Sequence, residues 1–286
     1  MAIKGGYTGW LLISLIACGL LDAKEPEHHL HEGDNIKIDY DRLNFHNSLK
    51  KEDGARYGVE FDHLSHGHHL QLYYEHTDTA TTALLPKDLS VDKYTLKYRY
   101  KTATKEHLMV LFSTIDDNLM KETDGGKIYG VGYGYHAIEA SGYLSDYPHF
   151  NVYQGDLKYK HLWQGIEGTL IGKYIHLQDK NSNSFSQKAQ SDYFTVGLRL
   201  HTHYRGWHLM GSGYLGKRMF AVMKDGFKVQ HHAMEFKESY ILGIGHNLHK
   251  DLSVHLRYGY HTAKEVPSDH DNVHLETLSI NGIFRF

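Results

Sequence analysis

Cysteine is all but missing from this sequence: one residue in 286, at position 18. A disulfide scaffold is therefore excluded. Proline is nearly as scarce, with four, which suits long extended segments. Long apolar runs are lacking too. The chain is 41% hydrophobic, yet its mean hydropathy is −0.52, so apolar residues are interspersed with polar ones. That excludes a polytopic helical membrane protein, which needs runs of about 20 apolar residues. Neither sign of charge is in excess: Lys+Arg 31 stand against Asp+Glu 34, which leaves no electrostatic case for a nucleic-acid partner. What is present is aromatic and small. Tyr 22, Phe 11, Trp 3 and Gly 28 argue against disorder, which is poor in aromatics, and suit a large β-sheet protein.

Residues 1–4 carry one positive charge and precede an apolar run, residues 10–21, of the length used by export signals. Two cleavage readings are open. Leu21-Asp22-Ala23 is an acceptable small-residue site and gives a signal peptide of residues 1–23. Leu15-Ile16-Ala17-Cys18 instead resembles a bacterial lipobox, which would acylate Cys18. Residues 24–35 read as a polar, histidine-rich tail, and residues 36–286 as the folded unit.

From Ile36 onward the dominant period is two, the mark of strands with unlike faces. Tyr94, Leu96, Tyr98 and Tyr100 fall on one face, opposite Thr95, Lys97 and Arg99. Tyr129, Val131, Tyr133 and Tyr135 stand opposite three glycines, and Phe194, Val196, Leu198 and Leu200 opposite Thr195, Arg199 and His201. The pattern predicts fourteen strands: 36–45, 55–64, 68–78, 91–101, 106–115, 126–136 and 138–146, then 149–161, 163–177, 191–203, 206–218, 235–248, 250–262 and 272–286.

Connections after even strands are tight, at 65–67, 101–105, 137, 161–163, 204–206 and 250–251. Most of those after odd strands are longer and polar: 79–90, 116–125, 178–190, 219–234 and 262–271. The exception is the short 145–148. Short turns on one rim and long loops on the other describe an all-β transmembrane antiparallel β-barrel, with the turns periplasmic and the loops extracellular. Fourteen strands are expected, with twelve or sixteen as alternatives. The 181–190 and 224–231 stretches are expected to lie open to external protease. A soluble sandwich also alternates, but it does not require the loop-length asymmetry.

The last strand, Leu278-Ser279-Ile280-Asn281-Gly282-Ile283-Phe284-Arg285-Phe286, puts Leu278, Ile280, Phe284 and Phe286 on one face. It resembles the terminal strand of Gram-negative outer-membrane β-barrel proteins, whose final aromatic is read by the barrel-assembly machinery. In length and strand count the chain resembles the monomeric fourteen-strand porins. The resemblance implies a monomer in the cell outer membrane, with membrane lipid, lipopolysaccharide and the assembly machinery as partners, and Phe284 and Phe286 as the assembly signal.

With the aromatic face toward lipid, the other face lines the lumen. Lys93, Lys97, Arg99, Lys158, Lys160, Lys173, Arg199, Arg257 and Arg285 then point inward, as do Glu60, Asp62, Glu75, Asp156 and Glu167. Charges lining a pore set which solutes pass, and fourteen strands are nearer the channel-forming size than the self-filled eight. The expectation is a porin-like channel for passive diffusion of small hydrophilic solutes, water-filled unless a long loop folds inward. It needs no cofactor.

Histidine is abundant, at 25. His201 and His203 share a strand face about 6.5–7 Å apart, but no carboxylate or cysteine set completes a metal site with them. His63-Leu64-Ser65-His66-Gly67 resembles the His-x-Ser-Asn-Gly stretch of outer-membrane phospholipase A. That resemblance implies a second reading, a barrel hydrolase acting on lipid or lipopolysaccharide through His63 and Ser65. His66 stands where that family has Asn, and the stretch falls at a tight periplasmic turn. A non-conducting adhesion or structural barrel is the third reading.

Overall fold

Alternation of apolar and polar side chains gives every strand two surfaces, and closing the sheet assigns one to each side of a wall. A computed structural model describes residues 33–286 apart from 103, 120–121, 181–188 and 267. The export segment, Cys18 and the first three histidines lie outside the described residues. The first strands are β1 (Gly33–His46), β2 (Lys51–Ser65), β3 (His68–Thr81), β4 (Leu89–Lys101) and β5 (Glu106–Asp117). β6 (Lys127–Tyr135), β7 (Ile138–Asp146), β8 (Phe150–Trp163), β9 (Ile166–Asp179), β10 (Asp192–Tyr204) and β11 (Trp207–Arg218) follow. A small hairpin, β12 (Val222–Met223) and β13 (Lys228–Val229), precedes β14 (Met234–His249), β15 (Leu252–Glu265) and β16 (His270–Arg285).

All strands but β12 and β13 form one closed antiparallel barrel, each pairing with its sequence neighbours and β11 with β14. β1 closes the ring by pairing with β16, Tyr40 opposite Ile280. Closure leaves no strand edge. The barrel has fourteen strands. β1 begins at Gly33, so residues 33–35, read from the sequence as tail, belong to the wall.

The outer surface is an apolar band. Val131, Leu157, Leu170, Leu209, Leu242 and Ile280 stand exposed between two belts of rings. Tyr100, Tyr135, Tyr159, Trp163 and Trp207 mark the short-turn rim; Tyr74, Tyr94, Tyr129, Tyr153 and Tyr174 lie toward the long loops. So large an exposed apolar surface has no place in water. It is the lipid-facing band and paired aromatic girdles of a transmembrane barrel.

Three expectations about connections are corrected. The connection read as a long loop, 262–271, is the four-residue stretch 266–269 between β15 and β16. Residues 161–163 belong to β8, and the turn is Gln164–Gly165. Both turn residues have positive φ, 46° and 80°, as do Arg205 and Gly206, at 48° and 81°. This two-residue geometry matches the twist of the paired strands, so the strands run on until it begins. The largest correction concerns 219–234, read as an exposed polar loop. It folds into the barrel: Met219, Phe220 and Ala221 have no exposed surface, and Val222 has 2%. Its first five residues, Met219-Phe220-Ala221-Val222-Met223, are apolar, and the lumen is where they escape water. The 224–231 stretch is thus not an open protease site. Of the other stretch expected to be cut, residues 181–188 lie outside the described residues.

Candidate functional site

The interior is built in two levels, and the inward-folded loop separates them. On the long-loop side much of the inner wall is apolar. Leu89 and Val91 of β4, Leu111 and Ile115 of β5, Ile128 of β6, Phe150 and Val152 of β8 and Ile175 of β9 form one buried cluster. Met219, Phe220, Ala221, Val222 and Val229 complete it from the loop. The Phe150 and Phe220 rings lie 4.8 Å apart, and Tyr147 stands 5.6 Å from Phe220. A second apolar group, Leu43, Phe45, Met234, Phe236, Val273 and Leu275, lines the wall where β1, β14 and β16 approach the same rim.

Below this collar the lining is charged, and buried wall residues grip the loop. The Lys93 ammonium lies 2.9 Å from Glu75 Oε1 and donates to the carbonyl oxygen of Phe227 at 2.8 Å. Lys173 pairs with Asp156 and donates to the carbonyl of Val222 at 3.1 Å. Gln154 holds Val222 at both ends: its Nε2 donates to the Val222 carbonyl at 2.8 Å, and its Oε1 accepts from the Val222 amide at 2.8 Å. Lys158 bonds Glu139 and lies 2.6 Å from Asp225 at the loop tip. Lys228 reaches the opposite wall, 2.9 Å from Asp41. The Lys97 ammonium sits over the Phe227 ring, 4.6 Å from its centre.

The loop's own charges respond to this setting. Burial pushes the Asp225 carboxyl up, but Lys158, Lys97 and Arg199 outweigh it and hold the group well below the usual carboxylate range. Burial likewise pushes His231 down to about 3 and His232 well below its ordinary value.

The fourteen lumen candidates fall on the inner side of the strand alternation. Lys93, Lys97, Lys158, Lys173, Glu75 and Asp156 are buried at the level of the loop. Glu60, Asp62, Arg99, Glu167, Arg199 and Arg257 lie nearer the short turns. Lys160 and Arg285 stand at that rim, Lys160 exposed. Glu60, Arg99, Glu167, Arg199 and Arg257 line a space of about 500 Å³ beneath the loop. A second cavity, about 180 Å³, lies between the loop and the β14–β16 wall, against Arg56, His231, Phe236 and His261.

Sequence reasoning missed Lys37, Asp39, Asp41, Arg56 and Glu139, which pair inside the barrel. Their alternation was legible in the same way. It also missed the loop's Lys224, Asp225 and Lys228, for which only the apolar run before them gave a signal.

No protein-family model matches the chain, and no curated protein matches it in sequence. Solved structures do match. The CymD monoaromatic hydrocarbon channel is similar with a TM-score of 0.57 at 9% identity, over 90% of this chain and 89% of that one. The toluene transporter TbuX of Ralstonia pickettii gives 0.55 at 9% identity, over 90% of each chain. The translocator domain of the autotransporter NalP from Neisseria meningitidis gives 0.50 at 12%, over 97% and 94%.

The fold is that of Gram-negative outer-membrane β-barrels. In such a barrel the rim of short turns faces the periplasm and the long loops face outside.

The hydrolase candidates sit at the periplasmic rim of this outer-membrane barrel and are not joined. His63 Nδ1 bonds Asp34 at 2.6 Å, while the Ser65 hydroxyl bonds His66 Nδ1 at 2.8 Å. The Ser65 hydroxyl is thus engaged by His66, the residue that stands where that family has Asn, and not by the base the resemblance implies. His201 and His203 do face each other, with ring centres 4.3 Å apart.

Proposed function

We propose that this protein is an outer-membrane channel for small hydrophilic solutes, held closed by the 219–233 loop. One observation carries the reading. The plug is seated by apolar packing, by side-chain contacts to its backbone and by ion pairs, and among the described residues it has no strand pairing to the barrel. Such contacts break and re-form without disturbing the barrel ladder. Release of the loop would join the charged space below it to the outside, through a lining whose charges of both signs set solute preference.

Planar-bilayer conductance tests the proposal. The refolded wild type is expected to show low conductance with brief openings. A variant with 219–233 replaced by a short Gly-Ser linker is expected to show a large, steady conductance. A folded, inserted variant that stays closed would overturn the channel reading in favour of a structural or adhesive barrel.

A second reading is a channel for apolar solutes. The apolar collar and the cavity against Leu43, Phe236 and Leu275 favour it, and CymD and TbuX are named for hydrocarbons. Liposome uptake of sugars and amino acids against toluene separates the two, because the charged level below the collar opposes an apolar path along the axis.

A further inference from the structure

Near the periplasmic rim, four histidines converge on one patch of the inner wall. The Arg205–Gly206 turn closes the β10–β11 hairpin with Tyr204 opposite Trp207, which places His203 opposite His208. In a two-residue hairpin this second pair lacks mutual backbone hydrogen bonds, so its side chains stand closest. His201 lies two residues deeper on the same face. The rings of His203 and His208 are 4.3 Å apart, like those of His201 and His203. One ring nitrogen from each of His201, His203 and His208 lies within 4.8 Å of the others.

The surroundings favour this arrangement. The row His203–His208 continues through Gly245 of β14 to His255 of β15. A Cβ at 245 would lie 2.2 Å from His255 Nδ1, so only glycine there lets His255 approach His208, at 5.1 Å between rings. His208 Nε2 donates to Asn247 Oδ1 at 2.9 Å, which leaves Nδ1 with the lone pair. A ligating histidine is commonly fixed in this way by its other nitrogen. Glu167, opposite His201 in the β9–β10 register, supplies the nearby negative charge. Arg257 and Arg285 face His255, so His255 is left out of the ligand set.

We propose that His201, His203 and His208 bind a divalent transition-metal ion of the zinc, copper or nickel class inside the periplasmic mouth. Three neutral imidazoles suit these borderline ions and not the oxygen-seeking calcium or magnesium. Tetrahedral zinc with bonds of 2.0–2.1 Å needs nitrogens about 3.3 Å apart. Binding would draw the three nitrogens, which lie within 4.8 Å of one another, to that spacing by side-chain rotation. The fourth position is open to the lumen, for water or a solute. The site does not depend on whether the barrel conducts.

Because the chain has many other histidines, the test must be selective. Refolded protein in detergent, its fold checked by heat-modifiable migration, is titrated with Co2+ and followed by visible absorption, then by Zn2+ competition. The wild type is expected to bind one equivalent with the strong visible bands of tetrahedral cobalt. His203→Gln and His208→Gln, each conserving bulk and polarity, should lose that spectrum. His63→Gln and His68→Gln, on the outer face of the same rim, should keep it. Asn247→Ala should weaken binding by about tenfold while the spectrum survives. An unchanged spectrum and affinity in His203→Gln and His208→Gln would overturn the site, as would only weak, featureless cobalt binding by the wild type.

Discussion

The ammonium of Lys93 lies 2.8 Å from the carbonyl oxygen of Phe227, a residue 134 positions later in the chain. The same ammonium is paired with Glu75. One buried lysine therefore couples a strand–strand ion pair to the seating of the plug.

Asp225→Asn should loosen the plug. Lys158, Lys97 and Arg199 would then face a neutral amide; the Asp225 side chain is 25% exposed, so the cost falls below the about 3–5 kcal/mol of a fully buried pair. Single-channel recording should show a higher open probability with unchanged open-state conductance. Unchanged gating would place the seating energy in the apolar contacts of Phe220 and Val222.

Acid should release the loop. Around His231 and His232 stand Lys51, Lys93, Arg56 and Glu75, with the Phe45 ring edge-on to His232 at 5.8 Å. The ordinary imidazole value is about 6.5; burial in the seated loop lowers His231 to about 3 and His232 well below the ordinary value. The seated state thus binds fewer protons than the released one. Its stability is complete above about pH 6.5 and is lost as pH falls toward about 3. Conductance measured from pH 7.5 to 4.5 should rise, and His231→Gln with His232→Gln should flatten the profile. A rise that persists in the double variant would assign the response to other groups.

Trypsin on intact cells should cut after Lys87, in the exposed connection between β3 and β4, and spare Lys224 and Lys228. Arg205, in a periplasmic turn, should also be spared. Mass spectrometry of the fragments reads the outcome directly. Cleavage at Arg205 with Lys87 intact would invert the topology.

Phe286 is 76% exposed, so it packs little against the rest of the barrel. Phe286→Ser should refold in detergent with normal heat-modifiable migration, yet insert poorly in cells and accumulate in the periplasm. Normal cellular insertion would show that the terminal aromatic is not the assembly signal in this chain.

The wall is legible along the chain. Period-two alternation is a local property, and it placed Lys93, Arg199 and Glu60 on the inner side and Val131 and Leu157 on the lipid side. The two-residue turn at Arg205–Gly206 also fixes His203 opposite His208, so the third histidine of the metal site was within reach of the sequence once the hairpin register was drawn. What fills the lumen is set by the folded barrel. Whether residues 219–233 lie outside or inside depends on the space left by a closed ring of fourteen strands and on the apolar collar that awaits Phe220. The folded barrel also decides which charges meet: Lys228 reaches Asp41, and Asp225 reaches Lys158, only because closure brings distant strands around one axis. Strand patterning is set by neighbours in sequence, whereas the plug is held by contacts across the barrel, and no spacing along the chain records those.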